Sequence, residues 1–150
     1  MAGLSRYKKV WHKYFAGTNI NCGIGGDRIQ HSLWRAENLQ LPQSIKFIFV
    51  CCVINNIGSD CPKDIVEGLV CVALLLQRKL KHVNVIVSGI LPRGSPPRKE
   101  INKINYELQK KLQKYSKIMF LQPDERWMEK NGKLDNNFFY KDLLQFNRAW

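Results

Sequence analysis

The sequence predicts an α/β domain, a parallel sheet with helices on both faces in a three-layer arrangement. Three observations predict it. Two continuous apolar runs rich in β-formers, Ile45 to Val53 and Val83 to Ile90, read as strands buried on both faces. Between them, Pro62 to Lys81 places Ile65, Val66, Leu69, Val70, Ala73, Leu76 and Leu80 at helical spacing. Strands and helices then alternate along the chain, and right-handed crossovers between such elements generate parallel strands.

The elements follow in order. Thr18 to Cys22 reads as a short strand, and a glycine-rich turn leads from it into a helical stretch from Arg28 to Ala36. The run from Ile45 supplies the next strand. Pro62 opens the central helix, where its missing N–H costs nothing because a first-turn N–H has no intrahelical partner. Val83 to Ile90 ends at the Pro92-Arg93-Gly94 turn. From Arg98 to Tyr115 the apolar positions Ile101, Ile104, Leu108, Leu112 and Tyr115 form one stripe, with Lys and Gln opposite. A last short strand spans Lys117 to Leu121. No repeat, low-complexity segment or linker divides the chain, so residues 1–150 are expected to form a single domain.

Composition sets the outer limits. With 150 residues, 45% hydrophobic and 24% charged, the chain can bury a core without disulfides or metal. The longest apolar runs, Phe47 to Ile54 and Leu69 to Leu76, fall far short of the roughly 20 residues a bilayer-spanning helix needs. No membrane span is expected. No apolar secretory stretch follows Arg6, Lys8, Lys9 and Lys13, so an intracellular location is expected. Cys22, Cys51, Cys52, Cys61 and Cys71 are odd in number, lie mostly in apolar segments and form no C-x-x-C pair. Buried reduced thiols are expected, with no zinc site and no cofactor. The net charge of +12 permits attraction to nucleic acid, acidic lipid or acidic protein, and equally a solvated basic face.

In open parallel sheets ligands bind beyond the carboxyl ends of the strands. The loops expected there are Cys22 to Asp27, Val53 to Asn56 and Gly89 to Gly94. The first has enough glycine for backbone N–H groups to approach an anion, yet it matches neither the dinucleotide fingerprint nor a Walker loop. A tight strand-to-helix turn explains it as well. Asn55 and Asn56 could donate to a developing oxyanion or simply form a turn. His12, His31 and His82 stand in no evident acid–histidine pair. Asp142 is followed three residues later by Gln145, which cannot accept a proton at neutral pH.

Four blocks in this order carry a resemblance. Asn21 to Asp27, the following Gln30-His31-Ser32-Leu33-Trp34-Arg35, Asn55-Asn56 after a hydrophobic strand, and Gly89-Ile90-Leu91-Pro92-Arg93-Gly94 resemble the SGNH (GDSL-type) hydrolases. The similarity is to the intracellular platelet-activating-factor acetylhydrolase α-subunit branch, including esterase-like domains encoded by transposable elements, and runs from about Gly3 to Phe146. It implies a flavodoxin-like α/β/α sandwich and a small acyl ester as substrate. It also implies Gly26 and Asn55 as the oxyanion-hole glycine and asparagine, and Asp142 as the acid of the triad. A homodimer is a further implication.

Departures from the family pattern shape the expected activity. The Gly-Asp-Ser block would end just upstream of Ala2-Gly3-Leu4, so the serine nucleophile and its strand are expected to be absent from a chain truncated at both ends. The family's Asp-x-x-His reads Asp142-Leu143-Leu144-Gln145, so the histidine base is expected to be lost. Val53-Ile54 stand where the resemblance implies Gly-Thr before the asparagine. By family analogy the absent strand would be central, which predicts a marginally stable fold. The expected function is therefore an esterase-like domain that is inactive or strongly impaired. Two alternatives remain: a basic module holding nucleic acid through Arg93, Arg98, Lys99, Lys103, Lys110 and Lys114, and an esterase using Ser88 or Cys52 as an atypical nucleophile. Trp11 and Trp34 are expected to be core or interface aromatics.

Overall fold

A computed structural model describes residues 8–91 and 98–124. In chain order the elements are α1 (Lys8–Tyr14), α2 (Ile29–Asn38), β1 (Phe47–Val50), α3 (Pro62–Lys79), β2 (Asn84–Ser88), α4 (Arg98–Leu112) and β3 (Ile118–Leu121). The three strands form one parallel sheet in the order β1-β2-β3. Phe49 is in register with Ile86, and Ile86 with Met119.

The core forms where the apolar stripes predicted for the two long helices meet one face of this sheet. Ile65, Leu69, Val72 and Ala73 of α3 and Ile104, Leu108 and Leu112 of α4 are essentially inaccessible, as are Val85 and Val87 of β2. α2 packs on the far flank of α3, and the approach is close. A β-carbon added at Gly68 would lie 2.6 Å from Cγ2 of Ile29, so only glycine lets the two helices meet at this distance. Gly89, at the carboxyl end of β2, has a similar reason to lack a side chain: a β-carbon there would lie 2.6 Å from Cδ of Pro123.

The parallel sheet and one of the two helix layers that the alternating pattern predicts are present among the described residues. Because β1, β2 and β3 are added in one direction, right-handed crossovers put α3 and α4 on the same side. On the other side of the sheet Phe47, Phe49, Met119 and Leu121 are exposed among the described residues.

Three expectations are corrected. Thr18–Cys22 forms no strand. Its polar side chains bond locally instead: Asn19 donates to the carbonyl of Phe15 and to Thr18, and Asn21 accepts from the N–H of Gly23. Such local bonds compete with ladder formation.

Second, the thiols are reduced, but Cys22, Cys51, Cys61 and Cys71 are exposed and only Cys52 is half-buried. Cys71 occupies a position of α3 between two buried neighbours, Val70 and Val72, yet turned away from the core. Third, of the two readings of Trp34 the core one is overturned: the ring is exposed, on the face of α2 opposite Ile29 and Ala36. Trp11 is half-buried and stacks on Phe15 with ring centroids 5.5 Å apart. The strands are also shorter than the apolar runs that announced them, since ladder bonds rather than hydrophobicity set their ends.

Candidate functional site

Beyond the carboxyl end of β1 the chain turns sharply into the Asn55-Asn56 pair, and this turn lies against the glycine loop that precedes α2. Asn55 joins the two segments by donating from Nδ2 to the carbonyl oxygen of Asp27, 2.8 Å away. Gly26, immediately before Asp27, has φ +83°, a left-handed conformation in which glycine alone is unstrained. A β-carbon there would meet nothing, so the backbone angle rather than space calls for glycine. The two residues matched to an oxyanion hole are thus brought together at one loop junction.

Asn56 points the other way, into the protein, and organises the junction. Fully buried, it accepts the N–H of Ile29 at 2.9 Å, satisfying a first-turn donor of α2 that has no partner within the helix. Its Nδ2 donates to Gln30 at 3.1 Å and to the carboxylate of Asp60. Asp60 also forms an ion pair with Arg28, whose guanidinium reaches Ser59 at 2.8 Å. The hydrogen bond from Asn56, helped by Gln30, Arg28 and Ser59, holds the Asp60 carboxyl below the usual carboxylate range against a smaller desolvation effect. The functional alternative for this asparagine is therefore set aside: Asn56 is a structural cap, while Asn55 is the exposed donor.

Val53 departs from the ordinary backbone. It is 3% exposed and has φ +114°, in a region β-branched residues rarely enter. The position where the resemblance implies glycine thus keeps a glycine-like conformation while carrying valine.

A second ionic cluster surrounds Asp27. Arg35 forms an ion pair with its carboxylate and donates to the carbonyl of Cys22, tying down both ends of the glycine loop. Nδ1 of His31 lies 3.6 Å from the same carboxylate. It also accepts the backbone N–H of Arg28 at 3.1 Å. A neutral imidazole accepting at Nδ1 carries its proton on Nε2, so Nε2 is not free to take another. His31 in this arrangement is a helix-terminus residue rather than a general base.

Neither proposed atypical nucleophile is activated. Burial pushes the Cys52 thiol up, and a hydrogen bond to Ser32 only partly offsets it, so the reactive thiolate is disfavoured. Ser88 is buried and donates to the carbonyl of Gly89 at 3.0 Å. His82 is engaged at Nε2 with the carbonyl of Ile45, at the amino-terminal edge of the sheet. Asp142, Gln145 and Arg93 lie outside the described residues. Among the described residues no group of three or more His, Cys, Asp or Glu gathers to hold a metal ion.

The roles of Arg28, Arg35 and Asp60 are not read from the sequence. The signal for one was present: Asp27, His31 and Arg35 recur every four residues, which puts them on one side of a helix start. Asp60 left no such trace, because its partners come from α2 and the residues just before it.

No family model matches the chain. It is 30% identical over 144 residues to platelet-activating factor acetylhydrolase IB subunit alpha1 of Rattus norvegicus, covering 93% of this chain and 62% of that protein. It is 28% identical over 138 residues to the alpha2 subunit of Homo sapiens, covering 89% of this chain and 60% of the relative. The chain therefore spans about three fifths of the length of the relatives it matches. A solved structure from Streptococcus pneumonia, provisionally named a platelet activating factor, superposes with a TM-score of 0.81 at 18% identity, over 93% of this chain and 71% of the other. The chain is SGNH/GDSL hydrolase-like. The fold of this hydrolase-like chain is further matched by a point mutant of an acetyl esterase solved with an acetate ion, at a TM-score of 0.60 and 15% identity, over 94% of this chain and 79% of the other. Its sheet and helix layer are those of a flavodoxin-like α/β fold.

Proposed function

We propose that the chain is an acyl-ester-hydrolase-like domain that retains donors for a tetrahedral oxygen and lacks an effective general base. A small acyl ester is the ligand class, suggested by the acetylhydrolase and acetyl esterase names of its relatives. The observation that carries the reading is the contact between Asn55 and Asp27, which joins the asparagine to the glycine loop across 28 residues of sequence. The backbone N–H of Gly26 and the second N–H of the Asn55 amide are the donors offered to the oxyanion.

The base is the missing part. In the proposed correspondence Gln145 stands where a histidine would carry the proton, and an amide does not accept a proton at neutral pH. The test is hydrolysis of short-chain p-nitrophenyl esters by the purified chain. A rate at the buffer level supports the reading; turnover that disappears in Asn55→Ala refutes it.

A second reading, a basic interaction module on the same scaffold, is favoured by one observation. Lys99, Lys103, Lys110 and Lys114 are exposed and make no ion pair among the described residues.

A further inference from the structure

Resting on this second reading, we infer that the outer face of α4 is a track for single-stranded nucleic acid, with four lysines on the phosphates and Tyr106 as a platform for a base. Lys99, Lys103, Tyr106 and Lys110 follow one another at steps of four, three and four residues, and Lys114 continues the series just past the helix end. Such steps put all five side chains on one stripe of the helix surface. At 1.5 Å per residue a four-residue step separates neighbouring cations by about 6 Å, comparable with the spacing of successive phosphates along a strand.

Folding accounts for little of this stripe: of its four lysines Lys114 has an intramolecular contact, its Nζ lying 5.1 Å from the centroid of the Tyr115 ring. Lys99 sits in the first turn, where the helix dipole disfavours a cation. Lys111, on the flank facing α3, is the lysine that finds a carboxylate, pairing with Glu67. Glu100 and Glu107 are half-buried on that same flank, to one side of the stripe. Tyr106 is 63% exposed in the middle of the lysines and contributes little to the core.

Cations interleaved with an exposed ring are the arrangement that grips single strands, because every base offers a π-face while phosphates supply the charge. A membrane surface fits less well. The apolar side of α4, with Ile101, Ile104, Leu108 and Leu112, is buried against the protein, which leaves nothing beside Tyr106 to insert among acyl chains.

The test is fluorescence anisotropy of the full 150-residue chain with a labelled 20-mer oligouridylate, its duplex, heparin, and vesicles containing phosphatidylserine. The 20-mer is expected to bind at 50 mM salt, with log K falling against log salt at a slope of about −3 for four lysines. Lys99→Gln with Lys103→Gln should halve that slope. Tyr106→Ala should weaken the 20-mer about five- to hundredfold, Tyr106→Phe should retain it, and neither should alter heparin binding. Heparin and oligonucleotide binding that are both indifferent to Tyr106→Ala would overturn the nucleic-acid inference and leave the basic module standing. Failure to bind any polyanion at 50 mM salt would overturn both, and binding to the vesicles alone would replace the strand with a membrane.

Discussion

Asn55 donates from its side-chain amide to the carbonyl of Asp27 at 2.8 Å, the hydrogen bond that fastens the turn after β1 to the glycine loop before α2. It uses one of two amide hydrogens. Asn55→Ala should therefore lower stability only modestly, by about 0.5–1.5 kcal/mol, because the bond is exposed and neutral. Asn55→Asp should cost more, since it sets a carboxylate against a carbonyl oxygen. Urea unfolding of the two variants checks the order.

Val53 offers a test in which the usual ranking inverts. In an ordinary buried site, replacing valine by glycine is worse than replacing it by alanine, because glycine adds freedom to the unfolded chain. At φ +114° alanine keeps the strain and glycine removes it. Both variants lose the buried side chain. Val53→Gly should be more stable than Val53→Ala by about 1 kcal/mol in denaturant unfolding.

Acid unfolding reports on Asp60. Its carboxyl lies below the usual range in the folded protein, chiefly through the hydrogen bond from Asn56. A lowered folded value means that stability is fully present above the unfolded value, near pH 4, and is lost as pH falls through the folded one. Stability should drop as pH falls below about 4. Asn56→Ala removes the main cause and should make that drop shallower, besides lowering stability at pH 7 by about 2–4 kcal/mol through the orphaned N–H of Ile29 and the lost packing. Melts of both proteins across this range provide the measurement.

Gly68 tests the packing of α2 on α3. Helix propensity alone favours alanine over glycine by about 1 kcal/mol. Here the added carbon overlaps Ile29, and overpacking costs about 1–3 kcal/mol. Gly68→Ala should therefore destabilise rather than stabilise. Introduced together with Ile29→Ala it should recover part of its cost, a coupling that a double-mutant cycle resolves.

Much of this architecture was legible because it depends on one face at a time. The stripe Ile101, Ile104, Leu108, Leu112 and the Pro62 helix start both place their elements correctly, since burial of a single side is visible in spacing. The exposure of Phe47 and Phe49 was not legible, because a run apolar on both sides does not say which side will be covered. The glycine loop and Asn55 were readable as candidates, but not their contact, which depends on a closure spanning 28 residues. Val53 was readable as a departure from a pattern, while its positive φ belongs to the folded backbone. Arg28 and Asp60 were silent because their pairing is made across elements.

The central claim is that oxyanion donors persist at Gly26 and Asn55 without a competent base. The most direct measurement is the steady-state hydrolysis of p-nitrophenyl acetate by the chain and by Asn55→Ala, side by side at pH 7. The expected result is that both match the buffer rate; a rate above buffer in the parent chain that Asn55→Ala lowers about 10²–10³-fold would contradict it.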